Sequence, residues 1–147
     1  MKTMIFSLSL LTMTMFSSVN AQNKDVKDAP AKVKSEFSKL YPKVKDVKWY
    51  TEDGNYEGKF TTDKMEMSVQ INEKGELVQK EMYLKISQLP KTVQDYLNKN
   101  YAGVKFNEAS EVTNAKNIKH YQAETKDKVL IFDNKGIFVK AEKNDDD

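Results

Sequence analysis

An internal repeat constrains the fold of this chain more than any other feature of its sequence. Apolar residues and prolines of an early segment return in the same order at a constant offset of 60: Pro30, Val33, Phe37, Tyr41 and Val44 recur as Pro90, Val93, Leu97, Tyr101 and Val104. A later segment, Ile71 to Gly75, recurs as Phe132 to Gly136 at an offset of 61. The near-equal offsets predict two consecutive copies of one unit, at about residues 28–83 and 87–142.

Each copy begins with a helical pattern. In the first copy Val33, Phe37 and Tyr41 are spaced by four residues, which places them on one face of a helix. Pro42 ends this helix, because the residue before a proline is pushed out of helical geometry. The same spacing recurs in the second copy, so the sequence predicts one helix at the start of each unit.

Alternating apolar and polar residues predict about four strands after each helix. The clearest run is Met65 to Ile71, in which every second residue is apolar. In the first copy one predicted strand begins at residue 47, and three others cover residues 56–60, 65–71 and 77–83. In the second copy the predicted strands cover residues 104–112, 118–125, 129–133 and 137–142. The predicted fold class is therefore α+β, with two tandem helix-plus-antiparallel-strand units that share a sheet and place both helices on one face.

The N-terminal segment has the composition of a signal peptide. Lys2 supplies a positive charge, Met4 to Phe16 form an uncharged and mostly apolar run, and small residues lead to a cleavage site near Ala21. The apolar run is too short for a bilayer span of about 20 residues. Residues 1–21 are thus expected to direct export, leaving residues 22–147 as a single domain in the periplasm or outside the cell.

Composition disfavours several classes of function. The chain has no Cys, so it has no thiol nucleophile and no thiolate metal site. Its 24 basic residues are all lysines, interleaved with 22 acidic residues, and the absence of arginine disfavours nucleic-acid binding. The single histidine, His120, lies on a predicted strand without the partners of a metal site or a catalytic triad. We therefore expect no enzyme activity, no cofactor and no metal.

The order of residues resembles the PepSY-like family of exported bacterial proteins, also described as beta-lactamase-inhibitor-like. The resemblance covers the mature chain and rests on these features: the helix end Leu40-Tyr41-Pro42, Trp49 on the first strand, the strand end Ile71 to Gly75, and Leu89-Pro90 at the start of the second copy. It implies two tandem units, export and no enzyme activity. By analogy it implies that the sheet face holds a partner protein, or that the domain restrains a peptidase. The second copy departs from the pattern because Ala109 stands where Trp49 stands in the first.

The sequence also offers candidate contact residues. Trp49 alternates with Val47 and is expected in the core, which points Tyr50 to the other face. Val129 and Ile131 of the second copy align with polar residues of the first copy that point away from the core. Ile137 likewise aligns with a polar residue. One hypothesis is an exposed apolar patch for a partner or a second subunit, formed by Val129, Ile131 and Ile137 with Tyr121 nearby. The alternative is that a loop, or the segment 22–27, covers these residues.

These observations predict an exported, non-catalytic binding module that contacts an envelope protein through its sheet face. The first alternative is a binder of a small ligand or an envelope polymer, in a cleft between the two units. The second alternative is a structural envelope protein without a discrete ligand. The sequence does not predict the partner's identity or the oligomeric state.

Overall fold

The computed structural model describes residues 24–144, and the predicted signal segment, residues 1–21, lies outside this range. The described residues form one antiparallel sheet whose strand order follows the chain from the first strand to the ninth. The strands are β1 (Lys24–Val26), β2 (Lys48–Glu52), β3 (Asn55–Thr62), β4 (Met65–Asn72), β5 (Leu77–Tyr83), β6 (Glu108–Asn114), β7 (Lys119–Glu124), β8 (Lys128–Phe132) and β9 (Phe138–Lys143). The predicted α+β class is confirmed.

Two α-helices accompany the sheet. α1 (Ala31–Leu40) precedes β2, and α2 (Lys91–Asn100) precedes β6, after a 3₁₀ turn at Ile86–Gln88. We call α1 with β2–β5 the first half and α2 with β6–β9 the second half. Strand β1 was not predicted, because three residues are too few for an alternating pattern to show.

Two-residue turns fix the register of the first hairpins. Asp53 and Gly54 connect β2 to β3 with φ of 48° and 76°, and Asp63 and Lys64 connect β3 to β4 with φ of 49° and 65°. Two successive positive φ values are those of a type I′ turn, whose twist matches that of the paired strands. The side chains on each face of the sheet follow from this register.

The β4–β5 and β8–β9 turns have the same hydrogen bonds. Asn72 Oδ1 accepts hydrogen bonds from the backbone N–H groups of Lys74 and Glu76. Asp133 Oδ1 accepts the corresponding bonds from Lys135 and Ile137. Each turn closes on a glycine with positive φ, so the local chemistry of the two turns is equivalent.

Both turns also rest on the first turn of a helix. A Cβ atom on Gly75 would lie 3.1 Å from the Lys32 carbonyl oxygen, at the start of α1. A Cβ atom on Gly136 would lie 2.1 Å from Thr92 Oγ1, at the start of α2. Glycine is therefore required twice at this contact, by its φ and by the close approach of the helix.

Both helices cover the same face of the sheet. The strand register places Phe60 and Phe132 on one face, through paired residues on the strands between them. Phe37 of α1 packs edge-on against Phe60 with ring centroids 5.1 Å apart, and Tyr96 of α2 packs edge-on against Phe132 at 5.4 Å. We call this the helix face, and the opposite side the open face.

The helix face holds the core in two clusters, one under each helix. The buried residues of the first cluster are Ala29, Val33, Phe37, Trp49, Phe60, Val69 and Ile71, and those of the second are Leu89, Val93, Leu97, Ala109, Ala123, Leu130 and Phe132. Trp49 belongs to the core, as its alternation predicted. Its counterpart Ala109 is also buried, so the second cluster is filled instead by the stacked rings of Tyr96 and Phe138.

Candidate binding site on the open face

Polar side chains at the centre of the open face are buried although the helices cover the other side. Glu57 on β3 is 4% exposed, Ser68 on β4 is 2% exposed and Ser110 on β6 is 1% exposed. The register places all three on the same face. Polar groups are seldom buried unless they have a partner or a function, so this region is the first candidate for a site.

Lys59 on β3 places an ammonium group at this centre. Its Nζ lies 3.5 Å from Glu57 Oε2. Burial lowers the pKa of Lys59, but attraction to Glu57, Glu108 and Glu81 outweighs burial and raises it above its ordinary value. Glu57 Oε2 is buried, and its 3.5 Å contact with Lys59 Nζ is long for a hydrogen bond, so the pair is best described as an ion pair.

Glu81 on β5 extends the acidic centre. Burial raises its pKa above the ordinary value, and hydrogen bonds from the Ser110 and Ser68 hydroxyls only partly oppose that rise. The Ser68 Oγ to Glu81 Oε2 distance is 3.5 Å. The charge of Glu57 also raises the pKa of Glu81, so the two carboxylates repel each other across the face.

Glu108 at the start of β6 completes the acidic centre. Its pKa is raised to about 7 by burial first, and then by the charges of Glu124 and Glu81. Glu124 lies directly opposite Glu108 in the β6–β7 register. Like charges directly opposite in a sheet are destabilising. Glu108 is exposed to solvent, which weakens this repulsion.

Two tyrosines flank the ammonium group. Lys59 Nζ lies 5.5 Å from the ring centroid of Tyr50 and 6.0 Å from that of Tyr83. Burial and the neighbouring Glu81 charge raise the pKa of Tyr83, which therefore keeps its proton. The rings thus offer aromatic faces to a cation in the distance range of cation–π contacts.

A cleft adjoins this centre at the end of the sheet where β2 begins. Its volume is about 790 Å³, and the lining residues are Lys45, Asp46, Val47, Lys48, Tyr50, Lys59, Phe60, Thr61, Glu66, Met67 and Tyr83. All of them belong to the first half. The cleft is therefore not the cleft between two units that the small-ligand alternative assumed.

The structure places three of the predicted contact residues on the open face. Tyr50 lies opposite Glu57 and lines the cleft. Val129 and Ile131 on β8 are half-buried on the same face. Strands β3 to β7 separate Tyr50 from this apolar pair, so the three residues mark the two ends of the face.

The other two predicted residues lie elsewhere. Tyr121 lies opposite Phe132 and packs against the α2 core cluster, so it is on the helix face. The structure does not place Tyr121 beside Val129, because the β7–β8 pairing points the two side chains to opposite faces of the sheet. Ile137 is 59% exposed and follows the β8–β9 turn. The structure does not bring the five residues together.

The alternative that the segment 22–27 covers the apolar pair is wrong for the residues of that segment that the structure describes. Lys24–Val26 forms β1, which pairs with β2 at the edge of the sheet far from β8.

His120, beside Tyr121 in sequence, is on the open face, where burial lowers its pKa and Gln122 Nε2 lies 3.0 Å from its Nε2. This contact gives the imidazole ring a neutral hydrogen-bonding partner.

The acidic centre was missed by reasoning from the sequence. Glu57, Lys59, Glu81 and Glu108 each have the parity of a solvated strand residue. The register places Lys59 level with Glu81 through Ser68 of β4, and the charge of Glu108 reaches Lys59 from the start of β6. No single strand shows this arrangement. A signal was available in Glu57-Gly58-Lys59, a charged pair on one face beside an apolar run.

Within residues 24–144, no group of three or more metal-ligating side chains is arranged to hold an ion. Over the same range, no helix is long and apolar enough to cross a membrane.

Solved structures with the same fold come from Bacteroides. No protein-family model and no curated protein matches the chain. A DUF2874 family protein of Bacteroides uniformis superposes with a TM-score of 0.72 at 18% identity, covering 79% of this chain and 90% of the other. A DUF2874 family protein of Bacteroides ovatus gives 0.71 at 24% identity, covering 82% and 92%.

A third solved structure has the same fold. It is a BLIP-like protein of Bacteroides fragilis, with a TM-score of 0.65 at 17% identity, covering 80% of this chain and 88% of the other. At these identities the similarity establishes a shared fold. The likeness to a beta-lactamase-inhibitor-like fold is thereby shown, whereas a relation to the PepSY family is not.

Proposed function

We propose that this protein is an exported, non-catalytic binding module that contacts a partner protein of the cell envelope through its open face. The observation that carries the proposal is the acidic centre of that face. Glu108 and Glu81 are partly desolvated and lie near like charges, and both effects raise their pKa values, so their ionised forms are unfavourable in the folded protein. Arrangements that reduce stability are typical of functional surfaces.

The fold supports the same proposal by analogy. A beta-lactamase-inhibitor-like fold suits protein binding because an uncovered sheet offers a broad surface. An apolar pair adjoins the acidic centre, since Val129 lies directly opposite Glu124. A face with apolar and charged regions side by side has the composition of a protein interface, and a peptidase or another envelope protein is the partner we propose.

Export, repeat organisation and family complete the proposal. Export rests on the signal-like segment 1–21, which leads to the periplasm or the exterior. We propose that residues 28–83 and 87–142 are two copies of one unit, since the turn at Gly75 and the turn at Gly136 have the same hydrogen bonds and the same contact with a helix. We also propose a distant relation to the PepSY-like family.

A second candidate function is supported by the cleft of about 790 Å³. This volume lies within the range of about 300 to 1,000 Å³ that small-molecule sites occupy. Tyr50 and Tyr83 line it and offer aromatic surface. A small ligand there would engage the first half alone.

The test is capture from envelope extract with the mature chain, residues 22–147. The open-face variant combines Val129→Thr with Ile131→Thr, and the control variant combines Lys39→Thr with Lys99→Thr on the exposed sides of the helices. We expect a discrete protein to be retained by the wild type and the control and lost with the open-face variant, with equal circular dichroism spectra. Equal capture by all three chains, or none, would contradict the proposal.

A further inference from the structure

Three carboxylates and one ammonium group share the centre of the open face. We call Glu57, Glu81 and Glu108, with Lys59 among them, the carboxylate cluster. The charges of all three glutamates act on Lys59. One ammonium group balances one of the three carboxylates, and the raised pKa values of Glu81 and Glu108 show that further negative charge is unfavourable at this place without a second cation.

Glu57 is the most buried carboxylate of this cluster and is held by a single long contact. Its side chain is 6% exposed, and its Oε2 accepts no hydrogen bond. Lys59 Nζ, at 3.5 Å, is farther away than the roughly 2.8 Å of a charge-assisted hydrogen bond. A buried carboxylate oxygen whose nearest donor is this far away has room for a closer one.

The aromatic rings show what kind of cation the centre accommodates. Tyr50 and Tyr83 both approach the Lys59 ammonium group, at 5.5 Å and 6.0 Å from the ring centroids. Aromatic faces beside carboxylates bind guanidinium and ammonium groups on organic side chains, because the ring stabilises a weakly hydrated cation. Lys59 therefore occupies the position that an incoming cationic side chain would take.

We propose that the carboxylate cluster is the receptor for an arginine or lysine side chain of the partner protein, and that Lys59 holds its place in the free protein. The inference rests on the proposed function, because it names the chemistry by which the partner is recognised. The incoming side chain binds Glu108 and Glu81 first, since these two are more exposed than Glu57. It then shares or displaces Lys59 beside the tyrosine rings.

The cluster makes this recognition dependent on pH. The titratable groups that face Glu108 are Glu124 on β7, Glu81 and Tyr83 on β5, and Glu57 and Lys59 on β3. The pKa of Glu108 is raised to about 7, so the carboxylate that receives the cation forms only as the pH rises through that value. Affinity for a cationic side chain is expected to increase from pH 6 to pH 8.

The test titrates the mature chain with N-acetyl-arginine amide, which carries a guanidinium group and no other charge. Its neutral isostere, N-acetyl-citrulline amide, and calcium chloride are titrated in parallel. Binding is followed by NMR through the backbone amide signals of Ser68, Glu81 and Ser110, which line the cluster. We expect the arginine probe to shift these signals, more strongly at pH 8 than at pH 6, and the citrulline probe to leave them in place.

Three variants locate the binding. Glu108→Gln should raise the dissociation constant about tenfold, the change that the loss of one charge-assisted hydrogen bond brings. Glu73→Gln, in an exposed turn, should leave the constant unchanged. Lys59→Gln should lower the constant, because it removes the competing ammonium group. If Lys59→Gln does not fold, the Glu108→Gln result still decides.

Several results would overturn the inference: equal shifts with citrulline, an unchanged constant in Glu108→Gln, or calcium producing the same shifts at lower concentration than arginine. A failed titration beside successful capture from envelope extract would leave the binding module standing and refute the cation receptor. A successful titration beside failed capture would support the cation site and refute the protein partner proposed above.

Discussion

The two faces of the sheet differ in how they use adjacent residues of the same strands. On β8, Leu130 points to the helix face and is fully buried, whereas its neighbour Ile131 points to the open face and is half-buried. The helix face is closed by packed apolar side chains, and the open face gathers carboxylates around Lys59. The difference teaches that the helix face supplies most of the apolar core that stabilises the fold, whereas the open face, which we propose as the binding surface, contributes less to it.

The two faces also differ in how their groups are satisfied. The aromatic rings of the helix face meet in edge-on and stacked pairs, as Phe37 does with Phe60. On the open face Glu108 lies opposite Glu124, and Glu57 Oε2 has no hydrogen bond. Both features lie on the side of the sheet that the helices leave uncovered, the side we propose as the binding surface.

The largest effect is expected from a pair of alanine substitutions on β8. Leu130→Ala should lower the free energy of unfolding by about 2 to 5 kcal/mol, because it leaves a cavity in a closed core. Ile131→Ala on the open face should lower it by less than half as much, since the side chain already contacts solvent. Urea denaturation with comparison of midpoints measures both. Equal losses would mean that the open face is also closed.

The next effect concerns how the helix face is held together. Gly136→Ala should lower the free energy of unfolding by about 2 to 4 kcal/mol, because a Cβ at positive φ costs about 1 to 2 kcal/mol and would also displace Thr92 from its hydrogen bond to the Lys135 carbonyl. Gly103→Ala is the matched control, since Gly103 has the same φ of 77° with open space around it.

Gly103→Ala should therefore show the conformational strain alone, about 1 to 2 kcal/mol. Thermal unfolding of both variants measures the difference. If Gly103→Ala destabilises the protein as much as Gly136→Ala, the contact between α2 and the β8–β9 turn contributes nothing beyond backbone strain.

The smallest effect is expected from the charge of Glu108. Its pKa rises from 4.5 to about 7 on folding, so the folded state holds a proton that the unfolded state releases between these values. Stability therefore falls as the pH rises through this interval and stays reduced above it. Glu108→Gln should remove up to about 1 kcal/mol of that fall, since solvent screens an exposed charge.

Melting temperatures of the wild type and Glu108→Gln at pH 5 and pH 8 measure this effect. Glu73→Gln makes an equal change of charge in an exposed turn and should melt as the wild type does at both values. A wild type that gains stability between pH 5 and pH 8 relative to Glu108→Gln would show that the acidic centre stabilises the fold.

The helix face could be predicted well from the sequence and the open face poorly, for a physical reason. Core positions such as Val69 and Phe132 follow from alternation within a single strand, because burial imposes a period of two. The acidic centre depends on the register between β3, β5 and β6, which turns and bulges set. The position of Tyr121 is hard to predict for the same reason. Whether it shares a face with Val129 is decided by how β7 and β8 pair.

The most direct test of the open face as the binding surface is site-specific photo-crosslinking in the native host. A benzophenone amino acid replaces Gln122, on the open face of β7, or Lys99, on the exposed side of α2. We predict a discrete crosslinked adduct with an envelope protein from position 122 and none from position 99. An adduct from position 99 alone, or no adduct from position 122, would contradict the account.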